Sequence, residues 1–392
     1  MVDYMGALKT PMQFILIGGG LVYLFACLVA FAGHLIRKHV CKDYFPSVSV
    51  IIPARNEEQN IGNILDDLLA QDYPRGKIEI IVVDDCSEDG TRNVVEKYIA
   101  IDNRVHLAET RLSESPYSHK KKAVHEGILA GTGEVIMTVD ADCRIQKGWI
   151  NGMMKYFTPQ IDLVAGEVIV EVNGVRGWFE ALEFTGIQMM AAGLMNARFP
   201  VTCNGGNLAY RRSAFERAGG FEGIGKLVSG DDDLLMQKIS RTRPSSIVFA
   251  TDPQTAVRVK AHETVRGFLA QRTRWASKIT AYPSRFAVGL LTVFFCFFAA
   301  VLIWLTGMLA GVVSFGPLVF GYGVKIAGDL VLTGYGTLKN RRPKLLLMFP
   351  LAEIVHVPYI IAVTLKGLFG SFEWRGRRTG AVSVPNTGEI HD

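Results

Sequence analysis

The stretch Val48–Asp85, VSVIIPARNEEQNIGNILDDLLAQDYPRGKIEIIVVDD, decides the fold. Val48 to Ile52 is a short β-branched run that stops at Pro53, as a buried strand does. Ile61, Ile64, Leu65, Leu68 and Leu69 then recur at helical spacing, with Asn60 as N-cap and Tyr73-Pro74 as the stop. Ile78 to Val83 is a second buried strand, which runs into Asp84-Asp85. Outward from there the alternation continues. Thr91 to Ala100 reads as helix, Val105 to Ala108 as a weak third strand, Lys120 to Ala130 as helix and Glu134 to Val139 as a fourth strand ending at Asp140. Alternating strand and helix implies an α/β domain with a mostly parallel sheet and helices on both faces. Ligands of such sheets bind beyond the carboxyl ends of the strands, where the polar residues of this chain collect. Gly-x-Gly-x-x-Gly and Gly-x-x-x-x-Gly-Lys-Ser/Thr are both missing, and Gly18-Gly19-Gly20 lies in an apolar run, so a dinucleotide or P-loop enzyme is disfavoured.

The 392 residues suffice for one such domain plus membrane segments. Hydrophobic residues make up 49%, concentrated before Ile36 and after Phe286. Phe14 to Ile36 is long enough to span a bilayer and too long for the core of a signal peptide. Arg37, Lys38 and Lys42 follow it while Lys9 alone precedes it, so the positive-inside rule puts the central domain in the cytosol of an integral membrane protein. Two further spans are expected at about 286–311 and 317–336, the second carrying Lys325 and Asp329. Residues 345–369 form a third apolar stretch, interrupted by Pro350, Glu353, His356 and Pro358, that either spans or re-enters. A broken helix fits there. The expected division is 1–42 N-terminal span, 43–262 catalytic domain, 263–285 interface helix, 286–370 C-terminal membrane region and 371–392 basic tail. A net charge of +5 without a basic, aromatic-laced stripe argues against nucleic acid, and the basic residues beside the apolar runs suit anionic lipid headgroups. The six cysteines form no Cys-x-x-Cys pair, so they read as reduced thiols rather than zinc ligands or disulfides.

The polar blocks carry the chemistry. Asp140-Ala-Asp142 ends a strand, and two carboxylates one residue apart can share a hard divalent ion and its phosphate ligands. Asp84 and Asp85 can accept a hydrogen bond from a uracil N–H, or one of them can cap the helix at Thr91, a task open also to Glu88 or Asp89. Arg55 and Lys120 supply positive charge near phosphates, while Lys121 and Lys122 read as a solvated helix face. Gly230-Asp231-Asp232-Asp233 crowds three acids at a helix start, which raises at least one pKa and suits a base for a hydroxyl. Gln271-Arg272-Thr273-Arg274-Trp275 lies in a segment with Val265, Phe268, Leu269, Trp275 and Ile279 on a rough apolar stripe. It reads as an interfacial helix that also offers a Trp platform to a sugar and Arg groups to a diphosphate.

In this order the blocks resemble the inverting family 2 glycosyltransferases of GT-A fold, above all the membrane-embedded branch of cellulose, hyaluronan and poly-N-acetylglucosamine synthases and related lipid glycosyltransferases. The likeness runs from Val48 to Trp275. It implies that Pro53, Asn56 and Glu57 open the nucleotide fold and that Asp84-Asp85-Cys86-Ser87 binds uracil, with Cys86 where the family has Gly. Lys120 and Ala123 match the family's helix start, and Asp140 with Asp142 matches its metal-binding pair. Asp232, with Asp231 second, matches the catalytic base, and Gln271, Arg272, Arg274 and Trp275 match the Gln-x-x-Arg-Trp block. The implied reaction is displacement at the anomeric carbon of a UDP-sugar, with Mg²⁺ or Mn²⁺ holding the departing UDP and a β-linkage formed. The acceptor is a growing polysaccharide or a lipid, and for a polymer so few spans call for a partner subunit in the membrane. The alternative is a catalytically silent receptor or scaffold of the same fold.

Overall fold

The computed structural model describes residues 2–41, 43–110, 117–227, 229–243, 245–370, 372–374 and 377–379. Lys42 and most of the basic tail lie outside them. The chain forms two compact units: Cys27–Ala261 with Val331–Met348, and Met1–Ala26 with His262–Leu330 and Phe349–Asp392.

The first unit is the α/β domain. Its elements are β1 (Val48–Ala54), α2 (Ile61–Leu69), β2 (Ile78–Asp84), α3 (Thr91–Ile101), β3 (Val105–Glu109), α4 (His119–Ala130), β4 (Val135–Thr138), β5 (Arg144–Ile145), α5 (Trp149–Met154), β6 (Leu163–Ala165), β7 (Val168–Glu171), α6 (Gly174–Asn196), β8 (Leu208–Arg211), α7 (Arg212–Arg217), α8 (Asp233–Thr242), β9 (Ile247–Phe249) and β10 (Val257–Lys260), after the end of α1 (Val2–Leu35). A seven-stranded sheet is ordered β3-β2-β1-β4-β8-β6-β9, and a three-stranded one β5-β10-β7. The large sheet is parallel except for β8, which runs antiparallel to β4 and β6. In the β1–β2 register, Ala54 sits opposite Asp84, so the two polar strand ends emerge side by side. The core lies on β1, β2 and β4, whose Val50, Ile51, Ile80, Val82, Ile136 and Met137 are fully buried. Helix α4 packs across β1 and β2, and a Cβ at its Gly127 would overlap Ile51 and Val83. Asn60 stands at the N-cap of α2, but its side chain donates to Glu57 Oε2 instead of capping.

The second unit is helical: the N-terminal part of α1, then α9 (Val265–Ala276), α10 (Arg285–Leu309), the first part of α11 (Gly316–Lys339) and α12 (Phe349–Phe369), with a hairpin of β11 (Phe372–Trp374) and β12 (Arg377–Thr379). Among the described residues three helices are long and apolar enough to cross a membrane: Lys9–Leu35, Arg285–Leu309 and Pro343–Phe369. Helix α11 is of similar length but less apolar, since it carries Lys325 and Asp329. Those charges are paired. The fully buried Lys325 lies 2.8 Å from Asp329 and 2.6 Å from Glu353 of α12, and Tyr23 of α1 donates to Asp329 at 2.5 Å. Helix α12 runs through Pro358 without a break, contrary to the broken helix expected.

Candidate active site

Two strand-end loops are sewn together first. Asn56, at a left-handed φ of 55°, accepts from Glu88 N through Oδ1 at 2.8 Å and donates its own N–H to Ser87 Oγ at 3.0 Å. Glu57 is buried; its N–H donates to Thr91 Oγ1 at 2.8 Å. Arg55 donates to Asp85 O at 3.1 Å and pairs with Glu88 at 3.5 Å, so its charge lies against the second loop. Pro53 pairs opposite Val83 inside β1, which runs one residue further than expected, to Ala54. Asp84 Oδ1 accepts from Ser87 N at 3.1 Å, and Asp85 Oδ1 accepts from Thr110 Oγ1 at 2.9 Å. Each keeps one carboxylate oxygen outside these bonds. Neither caps α3. Asp89 meets that helix start, accepting from the backbone and hydroxyl of Thr91. Cys86 takes a φ of 58°, so the turn keeps the left-handed conformation natural to Gly, with a side chain on it.

The acids gather around Lys120. Its Nζ is 2.5 Å from Asp140 Oδ1 and 3.4 Å from Asp231 Oδ2. The charges of Asp140, Asp231 and Asp232 outweigh burial and push the ammonium well above the ordinary lysine range. Asp232 is the N-cap of α8; it accepts from Asp233 N at 2.7 Å and from Gly205 N at 3.1 Å. Gly230 turns into this cap with φ +92°, a left-handed value that favours glycine.

One loop that carries no motif of its own completes the group. Asn204-Gly205-Gly206-Asn207 lies against the acids so closely that a Cβ on Gly205 would stand 2.9 Å from Asp231 Oδ2, and one on Gly206 3.0 Å from Asp140 Oδ2. Thr138 Oγ1 bonds Gly205 O at 2.8 Å, and Asn207 Nδ2 bonds Glu167 O and Thr255 O. Glu167 in turn accepts from Lys339 Nζ and Asn340 Nδ2, each at 2.6 Å. Adjacent glycines beside two asparagines were the available signal.

Asp142 is exposed, and its carboxylate, that of Asp140 and the Cys143 thiol lie within 4.8 Å of one another. Burial, with Asp140 and Asp142 close by, pushes the thiol well up. The two carboxylates are a set that fits a hard ion such as Mg²⁺ or Mn²⁺.

Gln271, Arg272, Arg274 and Trp275 belong to α9, in the other unit. The stripe expected for that helix is displaced. Phe268 is buried, but Arg272, Thr273 and Ala276 share its face, and Val265 is 57% exposed. The face packs on α12, where a Cβ at Gly367 would lie 2.8 Å from Thr273 O. The Arg272 guanidinium sits 4.6 Å from the Phe268 ring centre and 4.4 Å from that of Trp275, so it covers one face of the indole. Lys121 also differs from its reading: it is buried, with its ammonium on the carbonyls of Leu227 and Ser229.

This geometry, a strand-end acid pair facing a second acid cluster across a lysine, sits in a chain that known families match. Residues 49–219 match the description Glycosyl transferase family 2, and residues 135–333, half of the chain, match Glycosyl transferase family group 2. The chain belongs to glycosyl transferase family 2. This family 2 chain is 32% identical over 190 residues to glycosyltransferase AglE of Haloferax volcanii, covering 48% of itself and 59% of the relative. It is 30% identical over 249 residues to the probable glycosyltransferase YdaM of Bacillus subtilis, covering 59% and 54%. It thus spans little more than half the length of either. The fold is that of a mannosyltransferase from Pyrobaculum calidifontis solved with GDP-mannose and Mn²⁺: TM-score 0.60, 20% identity, 94% of this chain and 99% of the other.

Proposed function

We propose that the chain is a membrane-bound, metal-dependent, inverting glycosyltransferase that moves a sugar from a UDP-sugar to a hydroxyl of a polysaccharide or a lipid, with a β-linkage. The observation that carries this is the meeting of Asp140, Asp231 and Asp232 around Lys120 beside the Gly205-Gly206 loop. Such a site needs a group that neutralises a leaving diphosphate and a base that takes a hydroxyl proton, and it holds both types of residue. Asp140 and Asp142 would hold Mg²⁺ or Mn²⁺, which when bound supplies positive charge to the diphosphate. Lys120, already beside Asp140, adds a fixed positive charge next to the same oxygens. Asp84 and Asp85 would receive the uracil N–H at the end of β2, and Pro53, Arg55, Asn56 and Glu57 brace them.

Asp232 accepts the acceptor's proton, and the freed alkoxide attacks the anomeric carbon from the side opposite the diphosphate. Asp232 accepts two backbone N–H bonds, which hold the carboxylate in place, and Asp231 is the second candidate. Gln271, Arg272, Arg274 and Trp275 serve acceptor and diphosphate. The Arg272 guanidinium lies over the Trp275 ring, so the two side chains act as one unit. We propose the functional division already drawn at residues 42, 262, 285 and 370, with the catalytic domain in the cytosol at the inner membrane.

The test is turnover by purified protein in detergent against UDP-glucose, UDP-N-acetylglucosamine, UDP-galactose and GDP-mannose, with lipid and polysaccharide acceptors in separate arms. Asp142→Asn and Asp232→Asn should each lose on the order of 10²-fold or more, and only Asp232→Asn should still bind Mn²⁺–UDP. Full turnover in excess EDTA would remove the metal reading, and normal turnover by Asp232→Asn with loss in Asp231→Asn would exchange their roles.

A further inference from the structure

The run Lys120-Lys121-Lys122 gives three lysines one pattern, and the structure gives the first two different tasks. Successive helix residues point about 100° apart. Lys120 reaches the carboxylates, while Lys121 turns inward, 1% exposed, and donates to Leu227 O at 2.7 Å and Ser229 O at 2.6 Å. One turn earlier on the same face, Ser118 donates its hydroxyl to Leu227 O at 2.8 Å and to Gly225 O at 3.2 Å, and its N–H to Gly225 O at 2.9 Å. Ser118 stands at the N-cap position of α4, yet its side chain makes no capping bond there. The ring of Tyr117 closes the grip: a Cβ on Gly225 would overlap it at 2.2 Å.

The first turn of α4 therefore holds the carbonyls of Gly225, Leu227 and Ser229, none of which lies in a helix or strand. Its last held carbonyl belongs to Ser229, one peptide before Gly230-Asp231-Asp232. A buried ammonium is costly unless acceptors replace its water, and here backbone carbonyls do so. A methionine of similar volume would fill this space without that cost. The lysine is thus explained by what it holds.

We propose that Lys121 is a positioning residue for the transfer reaction: through the carbonyls of Leu227 and Ser229 it sets where Asp231 and Asp232 stand relative to Lys120 and Asp140. This rests on the function proposed above. The nucleotide-facing residues Asp84 and Asp85 lie in other loops, so loss of Lys121 acts on the acids and spares donor binding. Loosening of an acid loop by on the order of 1 Å costs about 10²-fold in rate.

The experiment compares full-length wild type with Lys121→Met, Lys121→Arg, Ser118→Ala and Asp232→Asn. Readouts are hydrogen–deuterium exchange over residues 225–235, Mn²⁺–UDP binding by calorimetry, and kcat and KM with whichever donor of the panel above wild type turns over. Lys121→Met should raise exchange in 225–235 at least 10-fold and lower kcat about 10- to 100-fold, with the UDP Kd and donor KM within 2-fold. Lys121→Arg, which keeps the donors, should recover most of kcat. A variant that loses only melting temperature, with unchanged exchange in that segment and unchanged kcat, overturns the proposal. If Lys121→Met does not fold, Ser118→Ala carries the test: faster exchange and a kcat loss of at least 3-fold support it, and unchanged values refute it. Asp232→Asn separates the two levels. Full turnover there refutes the functional reading, whereas an inactive Asp232→Asn beside a fully active Lys121→Met refutes only the positioning role.

Discussion

Replacing Lys120 with Met tests whether one ammonium holds the acidic site together in the absence of donor. Its Nζ lies 2.5 Å from Asp140 and 3.4 Å from Asp231, and the side chains of Lys120, Asp140 and Asp231 are 19%, 37% and 10% exposed. At an effective dielectric near 20 the two attractions are gross terms of about 7 and 5 kcal/mol, most of which desolvation offsets. Removing one partner of a buried pair costs about 3–5 kcal/mol, and the water that reaches Asp140 brings this to about 2–3 kcal/mol. In a domain of this size that is a fall of roughly 4–12 °C in melting temperature. Methionine keeps the stem, so the loss is electrostatic rather than a cavity. On the proposed metal reading, a divalent ion in wild type would share Asp140 with the ammonium, and in the variant it would not. Added Mn²⁺ should therefore raise the melting temperature of Lys120→Met more than that of wild type, by differential scanning fluorimetry in detergent. A variant that melts within about 1 °C of wild type, with an equal Mn²⁺ increment, would falsify the claim that Lys120 balances these acids.

Cys86→Gly should stabilise the domain by about 0.5–1 kcal/mol, since it relieves a left-handed φ of 58° at some cost in unfolded-chain entropy; denaturant melts measure it. The Arg104 guanidinium holds the buried Asp102 carboxyl down at about 2, so its contribution is whole above about pH 4 and fades as pH falls toward 2. Wild type should accordingly lose on the order of 1–2 kcal/mol more than Arg104→Met over that window. Lys325→Met strands Asp329 and Glu353 and should destabilise by about 3–5 kcal/mol, while adding Asp329→Asn and Glu353→Gln should restore most of it, as read by thermal aggregation in detergent. Trp275→Ala should sharply lower transfer with UDP binding intact, and Trp275→Phe, which keeps a ring for Arg272 but no N–H, should rescue it in part. Normal transfer by Trp275→Ala with easier extraction from membranes would leave α9 as an anchor only.

What could be read from the chain follows from how local each signal is. Strands β1 and β2 are continuous β-branched runs and α2 carries a clean 3.6-residue repeat, so local pattern and tertiary fold agree and their bounds fall within a residue or two of expectation. Strand β8, Leu208-Ala209-Tyr210-Arg211, has no β-branched residue and follows a polar loop, so nothing local marks it. The burial of Lys121 is equally hidden, because its acceptors are carbonyls more than a hundred residues away and any sequence could supply them. On α9 the apolar stripe misleads for a related reason. Thr273 and Ala276 are buried because Gly367 lets α12 come close, and Arg272 because aromatic rings take its charge.

The reversed direction of β8 explains why the site needed a loop that no motif announced. In a wholly parallel sheet the carboxyl end of β4 would be flanked only by loops that follow strands, and Asp140 would face the loops after β1 and its next neighbour. Because β8 runs antiparallel, with Thr138 opposite Leu208, the segment that precedes it arrives at the end where Asp140 leaves. That segment must pass between Asp140 and Asp231 without crowding either, and Gly205 and Gly206 carry no side chain to do so. Its backbone N–H then reaches Asp232, and Asn207 ties its far end to Glu167. The acids from β4 and from the start of α8, far apart in sequence, thus share one cation and one loop. The reversal brings them together, which is why the order of blocks could suggest the chemistry while only the sheet shows how it is assembled.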